Sequence, residues 1–309
     1  MNYADRLTEA VTRRGNPVLV GLDPRLDSLP ASLIASTGSD TPAQKAAAYE
    51  TFCRGVIDVV APLVPAVKPQ AAFFEQLGPD GMAALGKLIR YASDKGLLVI
   101  LDGKRNDIGS TAVAYAEGIL GRGDLSPWGA DALTVSPYLG DDSLRPFVDV
   151  AVRREAGIYV LVKTSNPGGA MLQDLTADGK YLYEHVGGFV NQLAQESLGQ
   201  CGYGAVGAVV GATWPEQLAQ LRAAMPQTWF LVPGFGSQGG TAADVAGAFD
   251  DRGLGAIVNN SRGILFAYRR EPYATQFGEA RWQEAVEAAT RDMIERLAAD
   301  TPAGRLGKS

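Results

Sequence analysis

The chain has 309 residues, of which 46% are hydrophobic and 20% are charged, so it can bury a large core either as one barrel or as two domains. Its net charge of −6 argues against a surface for nucleic acid or an anionic membrane, and its polar N-terminus and the lack of a long apolar run argue against a membrane span. Cys53 and Cys201 show no metal-ligand spacing, which suits a reducing compartment, and we therefore expect a cytoplasmic protein.

Along the chain, short apolar runs alternate with segments of helical periodicity. Eight runs are rich in β-branched residues; they are residues 17–24, 64–70, 97–104, 132–138, 157–165, 205–212, 229–236 and 255–262. Helical periodicity is found between them, as over residues 43–60, 81–93, 181–196, 215–224 and 241–249. This alternation predicts an α/β fold of parallel strands with helical crossovers, and eight such units closing on themselves form a (β/α)₈ TIM barrel.

The remaining segments are predicted to complete a single domain over residues 1–300. Residues 3–14 form an extra helix across the bottom of the barrel, and residues 282–298 complete the outer ring. Two connections, residues 26–41 and 166–180, are rich in Gly, Pro, Ser and Asp and follow strand ends, where lids and binding loops are expected. Residues 301–309 are predicted to be a flexible tail.

Polar residues follow nearly every predicted strand, at the barrel end where TIM-barrel active sites lie. In chain order they are Asp23, Lys68 and Gln70, Asp102 and Lys104, Ser136, Lys163 and Ser165, the glycine-rich residues 234–239, and Asn259, Asn260 and Arg262. Each of them alone could start a turn or extend into solvent from the barrel rim. The whole set is harder to explain in that way, and we predict that it forms one functional site.

The most informative segment is residues 102–109, Asp-Gly-Lys-Arg-Asn-Asp-Ile-Gly, which follows the apolar run Leu97–Leu101. Charges beside a strand that is buried on both faces are costly unless they pair or take part in chemistry. Asp102 and Lys104 are two residues apart, so in an extended strand they point to the same face, whereas Asp107 lies beyond the strand. An ordinary ion pair at a solvated strand end is the alternative interpretation.

The glycine-rich segment, residues 234–239, matches the G-x-G-x-x-G fingerprint of dinucleotide-binding proteins. A dinucleotide site would need an acidic residue about 20 positions later, where Asn259 and Asn260 lie instead. In a barrel, the loops after strands 7 and 8 commonly bind phosphate, so we expect backbone N–H groups around Gly236 and the guanidinium of Arg262 to hold one. A tight glycine turn is the alternative.

Together these motifs resemble the orotidine 5′-phosphate decarboxylase family. The resemblance rests on Asp102-x-Lys104-x-x-Asp107-Ile-Gly-Ser-Thr111-Ala, on Val67-Lys68-Pro69 and on Gly21-Leu22-Asp23-Pro24. It covers residues 17 to about 265, and the long chain is similar to the larger bacterial branch of the family. It implies a homodimeric barrel enzyme, without cofactor or metal, that converts orotidine 5′-phosphate to uridine 5′-phosphate in pyrimidine biosynthesis.

The resemblance also implies roles for individual residues. Lys68, Asp102 and Lys104 would form a charged array, which Asp107 of the partner subunit completes. The implied substrate contacts are Ser165 with the pyrimidine ring, Asp23 and Thr111 with the ribose, and Gln238 and Arg262 with the phosphate.

The implied chemistry explains why such charges are needed. Loss of CO₂ from a ring carbon leaves carbanion character with no adjacent electron sink, and the ammonium group of Lys104 can stabilise that charge and then donate a proton. Asp102 would lie against the departing carboxylate, while Lys68 and Asp107 keep the array balanced. The loop after strand 5 would act as a lid.

Two other functions stay open at this stage. A Mg²⁺-dependent sugar-phosphate decarboxylase or aldolase of the same superfamily shares the Asp-x-Lys-x-x-Asp strand. Such an enzyme has a carboxylate at the end of the second strand, whereas this chain has Lys68 there, and a lysine is a poor metal ligand. A catalytically silent phosphate-binding barrel would have no reason to keep opposed charges beside an apolar strand. His185 is the sole histidine and lies in a helical stretch, which leaves little room for a Ser-His-Asp triad or a histidine-built metal site.

Overall fold

The computed structural model describes residues 1–236 and 239–307, and its centre is a closed barrel of parallel strands. The strands are β1 (Val18–Leu22), β2 (Ala66–Pro69), β3 (Leu98–Arg105), β4 (Ala132–Val135), β5 (Gly157–Lys163), β6 (Val206–Val210), β7 (Phe230–Val232) and β8 (Ala256–Asn260). Each pairs with its neighbours in chain order, and β8 closes the barrel on β1. The predicted TIM barrel is confirmed, and every predicted apolar run overlaps one of these strands.

Helices surround the barrel and cover the outer face of its strands. They are α1 (Tyr3–Arg14), α2 (Ala31–Thr37), α3 (Pro42–Val60), α4 (Ala71–Glu75), α5 (Gly78–Asp94), α6 (Gly109–Ile119), α7 (Asp141–Arg153), α8 (Ala170–Gln173), α9 (Leu182–Gln195), α10 (Pro215–Ala224), α11 (Ala242–Val245), α12 (Arg262–Leu265), α13 (Tyr273–Gln276) and α14 (Trp282–Asp300). Local sequence sets their ends: α3 begins with a Thr41/Gln44 capping box, and α1 ends at the left-handed Gly15. Among the described helices, none is long and apolar enough to cross a membrane.

Helix α1 closes the N-terminal end of the barrel. The Tyr3 hydroxyl lies 3.0 Å from the Tyr159 hydroxyl in β5, and Arg6 forms a salt bridge with the fully buried Asp131 just before β4. A Cβ atom at Gly157 would lie 2.3 Å from the Tyr3 ring, so glycine allows the helix to approach the first residue of β5. The barrel is therefore closed at the N-terminal ends of its strands, and it opens at their C-terminal ends.

Three segments differ in detail from the sequence prediction. The helix expected over residues 241–249 is α11 followed by a 3₁₀ turn, Ala246–Ala248, where Gly247 packs so closely on Ala219 that a Cβ atom would lie 2.9 Å from it. Residues 26–41 contain α2, and residues 166–180 contain α8 and the start of a short antiparallel hairpin, Thr176–Ala177 with Lys180–Tyr181.

The C-terminal segment also has more structure than the predicted flexible tail. Residues Pro302–Arg305 form a 3₁₀ turn, and the side chains of Ala303 and Leu306 are buried. Burial of these two apolar side chains stabilises the segment, although its mostly polar composition predicted a flexible tail.

Candidate active site

A cavity of about 570 Å³ opens at the C-terminal ends of the barrel strands. The predicted site residues that line it are Asp23, Lys68, Asp102, Lys104, Ser165 and Arg262. Further polar groups around it are Gln70, Thr134, Thr164, Asn166, Gln173, Asn259 and Ser261. Leu161, Val209 and Leu231 add apolar surface from β5, β6 and β7, so the cavity can hold a ring as well as charged groups.

One carboxylate holds two lysines at the edge of this cavity. The Asp102 Oδ2 atom lies 2.7 Å from Nζ of Lys68, and its Oδ1 atom lies 2.7 Å from Nζ of Lys104. The side chains of Lys68 and Asp102 are 4% and 9% exposed, whereas that of Lys104 is 48% exposed. The array therefore runs from a buried ammonium, through a buried carboxylate, to an ammonium that faces the open cavity.

Two neutral side chains complete the surroundings of Asp102. Gln70 donates a hydrogen bond from Nε2 to Oδ2 at 3.0 Å, and Thr134 donates one from Oγ1 to Oδ1 at 2.9 Å. Thr134 Oγ1 also accepts a hydrogen bond of 2.9 Å from the backbone N–H of Lys104. Gln70 is among the polar strand-end residues predicted for the site, without a specific role, and Thr134 was not singled out, although a lone threonine in the apolar strand β4 was a visible signal.

The pKa values in this array follow from burial and from the neighbouring charges. Burial alone would raise the pKa of Asp102, but attraction to Lys68 and Lys104, together with their hydrogen bonds, outweighs it and holds that pKa well below its usual range. Burial alone would lower the pKa of Lys68, but Asp102 and Asp23 raise it above the ordinary lysine value. At neutral pH, Asp102 is therefore a carboxylate and Lys68 an ammonium.

Lys104 has an unusual backbone conformation. Its φ of 45° lies in the left-handed region, and the pairing of β3 with β4 shifts register between Leu101 and Arg105. The expectation that Asp102 and Lys104 share a face assumed a regular extended strand, and the structure brings their side chains together at an irregular strand end instead. A left-handed residue that is not glycine is strained, and such strain often marks a functional position.

The loop after β5 covers one side of the cavity. Thr164, Ser165 and Gln173 line it, and Gln173 ties the loop to the strand end by accepting from the Thr164 N–H at 3.0 Å and donating to Thr164 Oγ1 at 2.8 Å. Below them, Lys163 is only 1% exposed and forms a salt bridge with Asp174, just beyond α8. Its ammonium also lies 4.9 Å from the Trp214 ring centre.

Two oxygen atoms in the cavity wall are buried and have no hydrogen-bond partner among the described residues. They are Oδ1 of Asp23, after β1, and Oδ1 of Asn259, in β8. A buried acceptor without a partner is costly, and a ligand with hydroxyl or N–H donors would satisfy both. Gly21 makes this corner possible, because a Cβ atom there would lie 1.9 Å from Ser261 Oγ.

The glycine-rich loop after β7 only partly matches its prediction. Gly234 lines the cavity and Gly236 does not, and both have left-handed φ values, 97° and 69°. The Gly236 N–H donates to the Gly240 carbonyl at 2.8 Å, so this amide is already used within the loop. Arg262, the first residue of α12, lines the cavity as predicted, and Gln238 lies outside the described residues.

Asp107 and Thr111 are predicted site residues that do not line the cavity of their own chain, as far as the described residues show. Asp107 precedes α6, where its Oδ1 accepts a hydrogen bond of 2.9 Å from the Ile108 N–H, and Thr111 is exposed in the first turn of that helix.

Among the described residues, no group of three or more His, Cys, Asp or Glu side chains could hold a metal ion. His185 is exposed in α9, with Nε2 2.8 Å from the Ala177 carbonyl oxygen. Cys53 and Cys201 are free thiols.

Comparison with known proteins gives a consistent result. A model of the "Orotidine 5′-phosphate decarboxylase / HUMPS family" matches residues 17–277. The chain is 58% identical to orotidine 5′-phosphate decarboxylase of Rhodopirellula baltica over 96% of this chain and 99% of that protein, and 41% identical to that of Caldicellulosiruptor bescii over 87% and 91%. Among solved structures it resembles Leishmania donovani OMP decarboxylase, with a TM-score of 0.75 and 34% identity over 97% of this chain and 99% of that one. It also resembles a putative orotidine 5′-phosphate decarboxylase of Streptomyces avermitilis, with a TM-score of 0.76 and 38% identity over 97% and 95%.

Proposed function

The chain belongs to the orotidine 5′-phosphate decarboxylase family, and on that premise we propose that it converts orotidine 5′-phosphate to uridine 5′-phosphate and CO₂ in pyrimidine biosynthesis. It is a carbon–carbon lyase of the carboxy-lyase class. The observation that carries the proposal is the array of Lys68, Asp102 and Lys104 at the edge of the cavity. Burying opposed charges is costly, so we expect such an array where it serves a reaction in which charge moves.

We assign the chemical step to Lys104 and Asp102. As the bond between the pyrimidine ring and its carboxylate breaks, the electron pair stays on the ring carbon, and the exposed ammonium of Lys104 stabilises it and then supplies the proton. Asp102, kept ionised by its two lysines, repels the substrate carboxylate, and this repulsion falls as CO₂ leaves. Lys68 keeps the buried carboxylate paired throughout the reaction.

We assign the remaining cavity residues to substrate binding. Asp23 offers its unpartnered oxygen to a ribose hydroxyl, and Ser165 lies in the loop that covers the apolar wall, where the pyrimidine ring would bind. Arg262 lines the cavity and provides the cation for the phosphate. We assign Gln238 and the loop around Gly236 to the same phosphate group. Phosphate binding far from the reacting carbon provides free energy that can order the loops.

We further propose that the enzyme acts as a homodimer in which Asp107 of the partner subunit completes the array. The loop after β3, helix α6 and the loop after β4 expose large apolar side chains, namely Ile108 (54%), Tyr115 (38%), Tyr138 (73%) and Leu139 (47%). Such a cluster is typical of a surface that a second chain covers. Asp107 directly precedes the exposed Ile108, and Thr111 is exposed in the first turn of α6. We therefore propose that Thr111 contacts the ribose in the neighbouring site.

A cytoplasmic location remains part of the proposal. It is supported by the two free thiols, Cys53 and Cys201, because unpaired cysteines suit a reducing compartment.

The Mg²⁺-dependent alternative is less well supported. It requires a carboxylate at the end of β2, where Lys68 lies buried against Asp102. Two parallel assays separate the functions: loss of orotate absorbance follows decarboxylation of orotidine 5′-phosphate, and product analysis follows turnover of ketose phosphates. We expect turnover of orotidine 5′-phosphate alone, without added metal. Turnover of a sugar phosphate, or binding of orotidine 5′-phosphate without turnover, would contradict the proposal.

A further inference from the structure

Arg105 belongs to the charged segment 102–109, but its side chain turns away from the active-site cavity. It lines a separate cavity of about 190 Å³ beside α4, α5 and α6. Arg105 is the last residue of β3 and directly follows Lys104. The guanidinium of Arg105 is not part of the array of Lys68, Asp102 and Lys104 and has no role assigned so far.

The contacts of Arg105 join three parts of the barrel. Its guanidinium forms a salt bridge with Glu75 at the end of α4, and the two side chains are 23% and 35% exposed. It also lies 5.7 Å from the ring centre of Tyr115 in α6, and Nη1 is 3.4 Å from the Gly103 carbonyl oxygen. Because α4 directly follows the end of β2, which carries Lys68, the salt bridge links the ends of the two strands that carry the charged array.

The backbone of Lys104 needs such support. Its left-handed φ of 45° is unfavourable for a lysine, so the surrounding structure must hold it. On one side, the Lys104 N–H donates to Thr134 Oγ1. On the other side, the Arg105 carbonyl accepts from the Ser136 N–H at 2.9 Å, and the Arg105 side chain is anchored by Glu75.

We propose that the Glu75–Arg105 salt bridge is a positioning pair that holds Lys104 in its reactive conformation. Among the described residues, the pair neither lines the active-site cavity nor contacts a residue assigned to substrate binding, so it acts through the backbone of residues 103–105 and through α4. This inference rests on the proposed decarboxylase function, because that function makes the ammonium group of Lys104 the group that reacts.

The test measures kcat and KM for orotidine 5′-phosphate in Arg105→Met and in the milder Glu75→Gln. We expect kcat to fall by about ten- to a hundredfold, because small displacements of a catalytic group have effects of that size. We expect KM to change by less than about twofold, because the substrate contacts lie elsewhere. The double variant Glu75→Arg/Arg105→Glu, which restores the pair in reverse, should recover most of the lost kcat.

A matched control is the outer salt bridge between Arg145 and Glu196, which is 2.6 Å long and 44% and 41% exposed. Glu196→Gln should leave both constants within about twofold of wild type. Circular dichroism and thermal unfolding of each variant separate positioning from loss of fold. If the folded fraction alone falls, with kcat per folded site unchanged, the proposal is overturned.

The wild-type enzyme in the same assay distinguishes this inference from the function on which it rests. If wild type does not decarboxylate orotidine 5′-phosphate, the proposed function fails and the inference fails with it. If wild type is active and both single variants keep its kcat, only the positioning role is overturned.

Discussion

Asp102 joins two lysines of very different exposure, so removing different members of the array should separate stability from activity. In Asp102→Asn, the 4% exposed ammonium of Lys68 loses the carboxylate 2.7 Å away, and breaking a buried ion pair costs about 3–5 kcal/mol. In Lys104→Ala, Asp102 keeps Lys68, and the lost partner was 48% exposed, so the free energy of unfolding should change by about 1 kcal/mol or less. Both variants should lose decarboxylation, because each lacks a charge that acts on the reacting groups.

The measurement is urea-induced unfolding at pH 7, combined with the orotate-absorbance assay on the same preparations. A pH series gives an internal control. Because folding lowers the pKa of Asp102, its contribution to stability is present above its unfolded pKa of about 3.9 and is lost as the pH falls below that value. The stability gap between wild type and Asp102→Asn should therefore be full at pH 7 and shrink below about pH 4.

Two results would refute this reasoning. The first is an Asp102→Asn protein as stable as wild type at pH 7, since the carboxylate would then not be needed to balance Lys68. The second is a Lys104→Ala protein that is destabilised as much as Asp102→Asn, or that decarboxylates at a near-normal rate.

Three further predictions concern the subunit arrangement, metal dependence and the loop after β5. Lys104→Ala and Asp107→Ala dimers should each be nearly inactive. Mixing them with subunit exchange should restore about a quarter of wild-type activity per site, because half of the dimers gain one intact site. No recovery after demonstrated exchange would place Asp107 in its own barrel. Exhaustive chelation should leave turnover unchanged, and loss of turnover that Mg²⁺ restores would favour the sugar-phosphate enzyme. Asp174→Asn removes the carboxylate that pairs with buried Lys163 and so loosens the loop. KM should rise about tenfold, which corresponds to about 1.4 kcal/mol of binding free energy, and proteolysis within residues 166–180 should become faster. An unchanged KM and cleavage rate would show that this pair does not hold the loop.

The sequence by itself determined the barrel and the place of its active site. Parallel strands covered by helices must be apolar along their length, so β1 to β8 stand out as repeated β-branched runs between helical segments. Because the barrel end with the active site follows from topology, the polar residues after each strand could be assigned to one cavity without coordinates. Asp23, Lys68, Asp102, Lys104, Ser165 and Arg262 all line it.

The tertiary structure decided which groups contact one another and which way they face. The hydrogen bonds that Gln70 and Thr134 make with Asp102 depend on the register of β2, β3 and β4, which joins residues more than 30 positions apart in the chain and leaves no local signature. The left-handed backbone of Lys104 likewise lies where the pairing of β3 with β4 shifts register. Local periodicity fixes the elements and their ends, but the strain and hydrogen bonding of individual groups arise only when distant strands pack together.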